Sequence, residues 1–212
     1  MQKILLTAIV LLIHSTFVFG QKREEKAIRN VFETYRKAIL TDNADVALQC
    51  VDSRTINYYG HILDNVKDAD SAQVSALNVL DRFMVLTIRH RTPKEQILSF
   101  DGKSLLAYAI KRGMVGKTSV SEKNKIGEVT IESEFAKGQF MFEGKKVPIF
   151  FHFYKENGTW KLDLTSIFSL STFVIEDMIK SSGMSENEYF FYLLKLITGR
   201  EPNNDIWLPV QR

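Results

Sequence analysis

The stretch FFHFYKENGTWKLDL, Phe150–Leu164, sets the reading of the whole chain. Two aromatic-rich runs flank Asn157-Gly158. Asn-Gly between apolar runs is the strongest short-range hairpin signal, because both central residues of the turn need positive φ. With a two-residue loop, residues whose numbers sum to 315 face each other. Phe153 then pairs with Leu162, Phe151 with Leu164 and Lys155 with Trp160, on one apolar face. Tyr154 pairs with Lys161, His152 with Asp163 and Phe150 with Thr165, on a mixed face. A one-residue slip would destroy this sorting, which fixes the register.

Upstream the period is two. In GEVTIESEF, Val129, Ile131, Ser133 and Phe135 share one face and Glu128, Thr130, Glu132 and Glu134 the other, as in a half-buried strand. Lys137-Gly138 and Glu143-Gly144 read as turns, and QFMFE and KVPIFFHFYK as further strands. Pro148 marks an edge or a bulge in the last of these.

The first half of the chain has helical texture. Ile28, Val31, Phe32, Tyr35, Ala38 and Ile39 recur at three-four spacing. ADVALQCVD reads as a second, short helix, and RTINYYGHIL as an extended segment with a bulge at Gly60. A longer helix is expected from about Asp68 to Arg91, with Val74, Leu77, Leu80, Met84 and Ile88 as its stripe. Thr92 as N-cap and Pro93 in the first turn open another short helix. SLLAYAIKRG reads as one more, with Lys111 and Arg112 at its end and Gly113 as cap. After the hairpin, SLSTFVIEDMIKSSG is helical. Ser185 and Glu188 form a capping box for a last helix that stops at Gly199. Trp207 is expected to tuck in the tail against the body.

The first 20 residues read as a secretory signal peptide: a short region with Lys3, an apolar core from Ile4 to Ile13, and small residues near Gly20. The expected address is periplasmic or extracellular, with no stable membrane span after cleavage. Removal of this 20-residue leader leaves 192 of the 212 residues, enough for a core of its own. The single cysteine, Cys50, can close no internal disulfide, so that core must hold the fold. The whole chain carries a net charge of only +3 and no basic stripe with interleaved aromatics, which argues against nucleic acid as a partner.

Few residues carry chemistry. His152 opposite Asp163 is the sharpest pair: an oriented base, or a cross-strand surface pair. Tyr59 and His61, on one side of the expected strand, would line a pocket mouth or a half-buried wall. IRHR, Ile88–Arg91, would bind an anion or satisfy the last carbonyls of a helix. His61, His90 and His152 show no metal-ligand spacing, and no cofactor motif is present.

The segments TDNADVALQCVDSRTINYYG and YKENGTWKLDLTSI resemble the helix–turn–helix–strand start and the closing hairpin of the nuclear transport factor two-like superfamily. The resemblance implies an α+β fold, a curved antiparallel sheet wrapped around N-terminal helices as a cone with an internal pocket. It gives an α+β domain over residues 21–167 and a C-terminal helical extension over 168–212. The superfamily holds ketosteroid isomerases, dehydratases, polyketide cyclases and non-catalytic binding domains, and none of their catalytic groups matches a position here. Tyr35, Phe151, Phe153, Trp160 and Leu162 would line the pocket, or fill the core.

The expected function is that of a secreted, non-catalytic binding or interaction protein holding a small apolar ligand in its cone. One alternative is an isomerase- or dehydratase-like enzyme using His152 with Asp163, or Tyr59 with His61. Another is a structural partner, a homodimer joined through the sheet by Phe150, Tyr154 and His152.

Overall fold

The computed structural model describes residues 2–115 and 120–211, with side chains from Gly20 onward. The expected leader therefore lies, apart from Gly20, outside the residues described with side chains. Helices α1 (Gln2–Leu40), α2 (Ala44–Cys50), α3 (Ser53–Asp68), α4 (Ser71–Ala76), α5 (Val79–Arg91), α6 (Lys94–Ser99) and α7 (Gly102–Lys111) come first. Strands β1 (Asn124–Glu132), β2 (Phe135–Phe142), β3 (Lys145–Glu156) and β4 (Thr159–Asp163) follow, then α8 (Phe168–Ser182) and α9 (Glu186–Thr198). The class is α+β. The chain divides into two compact units, Met1–Asp52 with Gly116–Asp163, and Ser53–Val115 with Leu164–Arg212.

The first, the sheet unit, joins α1 and α2 to an open antiparallel sheet of order β1-β2-β3-β4. The hairpin has the expected register: His152 faces Asp163, Phe153 faces Leu162, Tyr154 faces Lys161 and Lys155 faces Trp160. Its turn has Asn157 at φ 50° and Gly158 at φ 77°. The ladder stops there, so the expected pairs Phe151–Leu164 and Phe150–Thr165 do not form. Leu164 instead opens a 3₁₀ turn, Leu164–Ile167, and its amide donates to Thr55 Oγ1 at 3.0 Å.

One expected turn is also moved. The β1–β2 connection lies at Ser133-Glu134, with Ser133 at φ 57°, and Lys137-Gly138 lies within β2. A Cβ on Gly138 would come within 2.8 Å of Ile126 Cγ2 and 3.0 Å of Phe153 Cε2. Glycine is required there because side chains from both neighbouring strands cross over it. Pro148 sits in the part of β3 that has no β4 partner, beside the register shift between Gln139 and Met141. There the Gln139 amide bridges the gap, donating to Val147 O and, at 3.1 Å, to Ile149 O.

Burial of the α1 stripe Ile28, Phe32, Tyr35, Ala38 and Ile39 gives this unit its core. The Phe32 ring meets Phe151 at 5.1 Å, and Phe140 meets it edge-on at 5.5 Å. Just past α2, Val51 bridges to Leu162, and the Asp52 amide donates to Leu162 O at 3.0 Å. Cys50 is buried, and burial pushes its thiol pKa up, as for a packing residue.

The second, the helical unit, holds two corrections. RTINYYGHIL is not extended; it lies in α3, whose buried face is Thr55, Tyr59, Ile62, Leu63 and Val66. These recur at helical spacing across the helix, and that long-period signal outweighs the β-prone Tyr58-Tyr59 and the glycine. Gly60 is no bulge. A Cβ on Gly102, at the start of α7, would lie 2.6 Å from Gly60 N and from Ile56 O, so α7 meets α3 backbone to backbone. The expected helix from Asp68 to Arg91 is two, because Asn78 interrupts it: its side chain accepts from the Asp81 amide at 3.0 Å and caps α5.

Smaller shifts follow. Thr92 closes α5 and does not cap α6, which begins after Pro93. The capping boxes of α7 (Asp101, Ser104) and α9 (Ser185, Glu188) both form. Gly183 and Gly199 end α8 and α9 in the left-handed conformation. In the tail Pro202 and Ile206 are buried, and Trp207 is half-buried. α9 buries Tyr189, Phe190 and Leu194, whereas α8 buries none of its residues. Leu170, Phe173, Val174 and Met178 of α8 stand exposed, Phe173 at 64%.

Candidate functional site

The last carbonyls of a helix lack intrahelical donors, and its C-terminus attracts cations. In the helical unit, α5, α7 and α9 each place arginine at or just past the C-terminal end: Arg89 and Arg91, Arg112, and Arg200. The bland expectation is that these arginines satisfy carbonyls. For Arg89 that is the whole account. Its Nε donates to Val66 O at 3.0 Å, NH1 to Ile206 O at 3.1 Å, and NH2 to Asn65 O at 2.9 Å and Ala69 O at 2.6 Å. Burial pushes its pKa down to about 10. Arg89 clamps the end of α3 to the 3₁₀ turn Asn204–Trp207.

Two residues along, Arg91 differs. Together with Arg112 and Arg200 it lines a cleft of about 340 Å³, with Tyr108 and Thr198 also in the wall and Pro93, Met114 and Ile197 as apolar lining. Among the described residues the Arg91 side chain makes one bond, NH2 to Arg112 O at 2.9 Å, and the Arg200 side chain one long one, NH2 to His90 O at 3.4 Å. The Arg112 guanidinium lies over the Tyr108 ring, 5.4 Å from its centre. A guanidinium carries five N–H donors, so among the described residues most of the fifteen or so have no partner. Among the described residues none of the three is paired with a carboxylate. The acid nearest in sequence, Glu201, is held by Lys195 at 2.5 Å.

The local field is correspondingly positive. The pKa of His90 is lowered, first by burial, then by Arg200 and Arg91. Burial likewise lowers that of Arg91, with Arg112 adding to the effect and Tyr108 opposing it. His90 Nε2 lies 3.0 Å from Thr198 Oγ1, whose hydroxyl donates to Leu194 O at 2.6 Å. These bonds tie α5 to α9 and hold the cleft's walls in register.

The residues singled out in the sequence go elsewhere. Tyr35, Phe153, Trp160 and Leu162 are buried in the sheet unit and Phe151 is half-buried. Trp160 Nε1 donates to Glu24, which also accepts from Lys155 Nζ at 2.9 Å. None of the five lines the arginine cleft.

His152 and Asp163 are cross-strand partners, as expected. Strand alternation turns His152 away from the face of Phe153, and its ring meets Phe135 edge-on at 5.2 Å. Burial lowers the His152 pKa, Asp163 opposes this, and Lys137 adds to it. Tyr59 and His61 are not brought together. Two helical positions apart, they diverge: Tyr59 is buried, and His61 is exposed beside a second depression of about 490 Å³ near Asn57, Asp64 and Lys103. Among the described residues no group of three or more His, Cys, Asp or Glu could hold a metal ion. Among them, too, no helix is long and apolar enough to cross a membrane.

The sequence offers Arg91, within IRHR, as an anion ligand or a helix-end cation, and Arg112 as a helix-end cation alone; it does not single out Arg200. The available signal was that three helical segments each finish on arginine. No family model matches this chain, and no curated protein or solved structure is significantly similar to it.

Proposed function

We propose that this chain is an exported, non-catalytic binding protein whose ligand is an anion received by the helical unit. One observation carries the reading: Arg91, Arg112 and Arg200, from three helix ends, ring one cleft without a carboxylate partner among the described residues. Like charges held close are costly unless a counter-charge enters. The helix C-termini offset part of that cost, and a bound anion would offset the rest.

The binding role is the one expected from the sequence. Its place differs, because the wall residues Phe153, Trp160 and Leu162 pack as core. For the sheet unit we retain the nuclear transport factor two-like resemblance as part of the proposal, with a curved cone as its finer form. Its support is the order of α1 and α2 before an antiparallel sheet that ends in the Asn-Gly hairpin. The helix at Ser53–Asp68 departs from that pattern, which has a strand there. Export rests on the leader alone; intact mass of protein from its native host should begin at Gln21. The isomerase- or dehydratase-like alternative is favoured by the His152–Asp163 pairing.

Thermal unfolding of the intact protein with phosphate, sulfate, citrate and benzoate tests the reading. At least one anion should raise Tm in the wild type and fail to do so in the triple variant Arg91→Gln, Arg112→Gln, Arg200→Gln. No shift with any anion would end the proposal. His152→Ala should leave the response unchanged.

A further inference from the structure

The number and placement of the guanidinium groups restrict the anion further. A carboxylate has two oxygens whose acceptor sites lie in one plane, and a single arginine fork pairs with both oxygens. Three forks arriving from the ends of α5, α7 and α9 need an acceptor whose oxygens point in several directions. A tetrahedral phosphoryl group has that shape, and as a monoester it carries a charge of about −1.5 to −2 at neutral pH. Arg112 is positioned by the Tyr108 ring, and no acid among the described residues pairs with it, which leaves its N–H edges to a ligand. The cleft also has a side that a bare inorganic ion would leave wet: Pro93, Met114 and the exposed Ile197. Apolar surface beside a charged head group is the lining expected for a ligand with a polar end and an apolar body.

We infer that the cleft recognises a phosphate monoester. The phosphoryl oxygens would face Arg91, Arg112 and Arg200, and the ester substituent would lie on Pro93, Met114 and Ile197. The inference rests on the anion-binding reading above. His90 Nε2 pairs with Thr198 Oγ1, and His90 itself is not among the residues that line the cleft.

Isothermal titration of the full-length protein at low ionic strength, with phenyl phosphate, inorganic phosphate and benzoate, tests it. Phenyl phosphate should bind at least tenfold tighter than either of the others. Arg112→Gln, at an exposed position, should weaken it tenfold or more with unchanged Tm, and Ile197→Asn should remove most of its advantage over inorganic phosphate. Benzoate binding as tightly as phenyl phosphate would overturn the phosphate assignment and leave the anion-binding reading standing. Phenyl phosphate binding that survives Arg112→Gln would overturn the site. A failure of all three compounds to bind would count against both. Vesicles containing phosphatidic acid in phosphatidylcholine, against phosphatidylcholine alone, identify the source of the ester. Selective binding to the phosphatidic acid vesicles extends the inference to a lipid, and binding of phenyl phosphate alone confines it to soluble esters.

Discussion

Glu24 in the sheet unit and Arg91 in the helical unit are both partly shielded charges, and they are treated in opposite ways. Glu24 accepts from Lys155 and from the Trp160 indole, and these bonds hold its pKa below the ordinary carboxylate range. Arg91 gives one bond to a carbonyl and otherwise faces two more arginines across a cleft. The same contrast recurs within four residues of α5, where Arg89 binds four carbonyls. A charged group with its partners supplied by the fold is part of the scaffold. One whose partners are withheld, beside others of the same sign, is placed to meet something from outside.

The contrast between packed wall and exposed helix should give the largest effect. Phe153→Ala in the sheet core should cost about 3–5 kcal/mol, the usual range for a buried phenylalanine. Phe173→Ala on exposed α8 should change stability by less than about 0.5 kcal/mol. Urea unfolding measures both, and similar midpoints would break the comparison. Next comes the arginine pair. Arg89→Met should lose about 1.5–3 kcal/mol, as for hydrogen bonds to a charged group. Arg91→Met should keep its stability and lose anion binding; the reverse result would exchange their roles.

Two glycines sharpen the point at lower cost. Gly102→Ala would push a Cβ into the α3 backbone and should destabilise by about 1–3 kcal/mol. At Gly60 a Cβ meets nothing within 4 Å, so Gly60→Ala should stabilise α3 by up to about 1 kcal/mol. Equal effects in thermal melts would mean that α3 and α7 do not approach through backbone. The smallest effect is that of Glu24. Its folded pKa is depressed, so its contribution is complete above the unfolded carboxylate value and lost as pH falls through the folded one. Glu24→Gln should remove that part of the acid sensitivity. A variant with an unaltered stability–pH curve below about pH 5 would show that the pair with Lys155 is worth nothing in solution.

Sequence alone determined what depends on residues a few positions apart. The hairpin register follows from Asn157-Gly158 and the alternation around it. The capping box at Ser185 and Glu188 and the stops at Gly183 and Gly199 follow from single-turn chemistry. The α1 stripe follows from its period. Competing local signals misplaced two features: Lys137-Gly138 looks like a turn, and Tyr58-Tyr59-Gly60 like a strand. At Gly138 the glycine serves a close approach made by distant residues, Ile126 and Phe153; at Gly60 it does not, since the glycine that the approach of α7 to α3 requires is Gly102. The candidate site was legible only in fragments. Nothing near Arg91, Arg112 or Arg200 in the chain says that they share a cleft, or that Arg89 is satisfied and Arg91 is not. Those outcomes depend on which carbonyls and rings the packing of α5, α7 and α9 brings within about 3–5 Å, and no local period encodes contacts between helices so far apart in sequence.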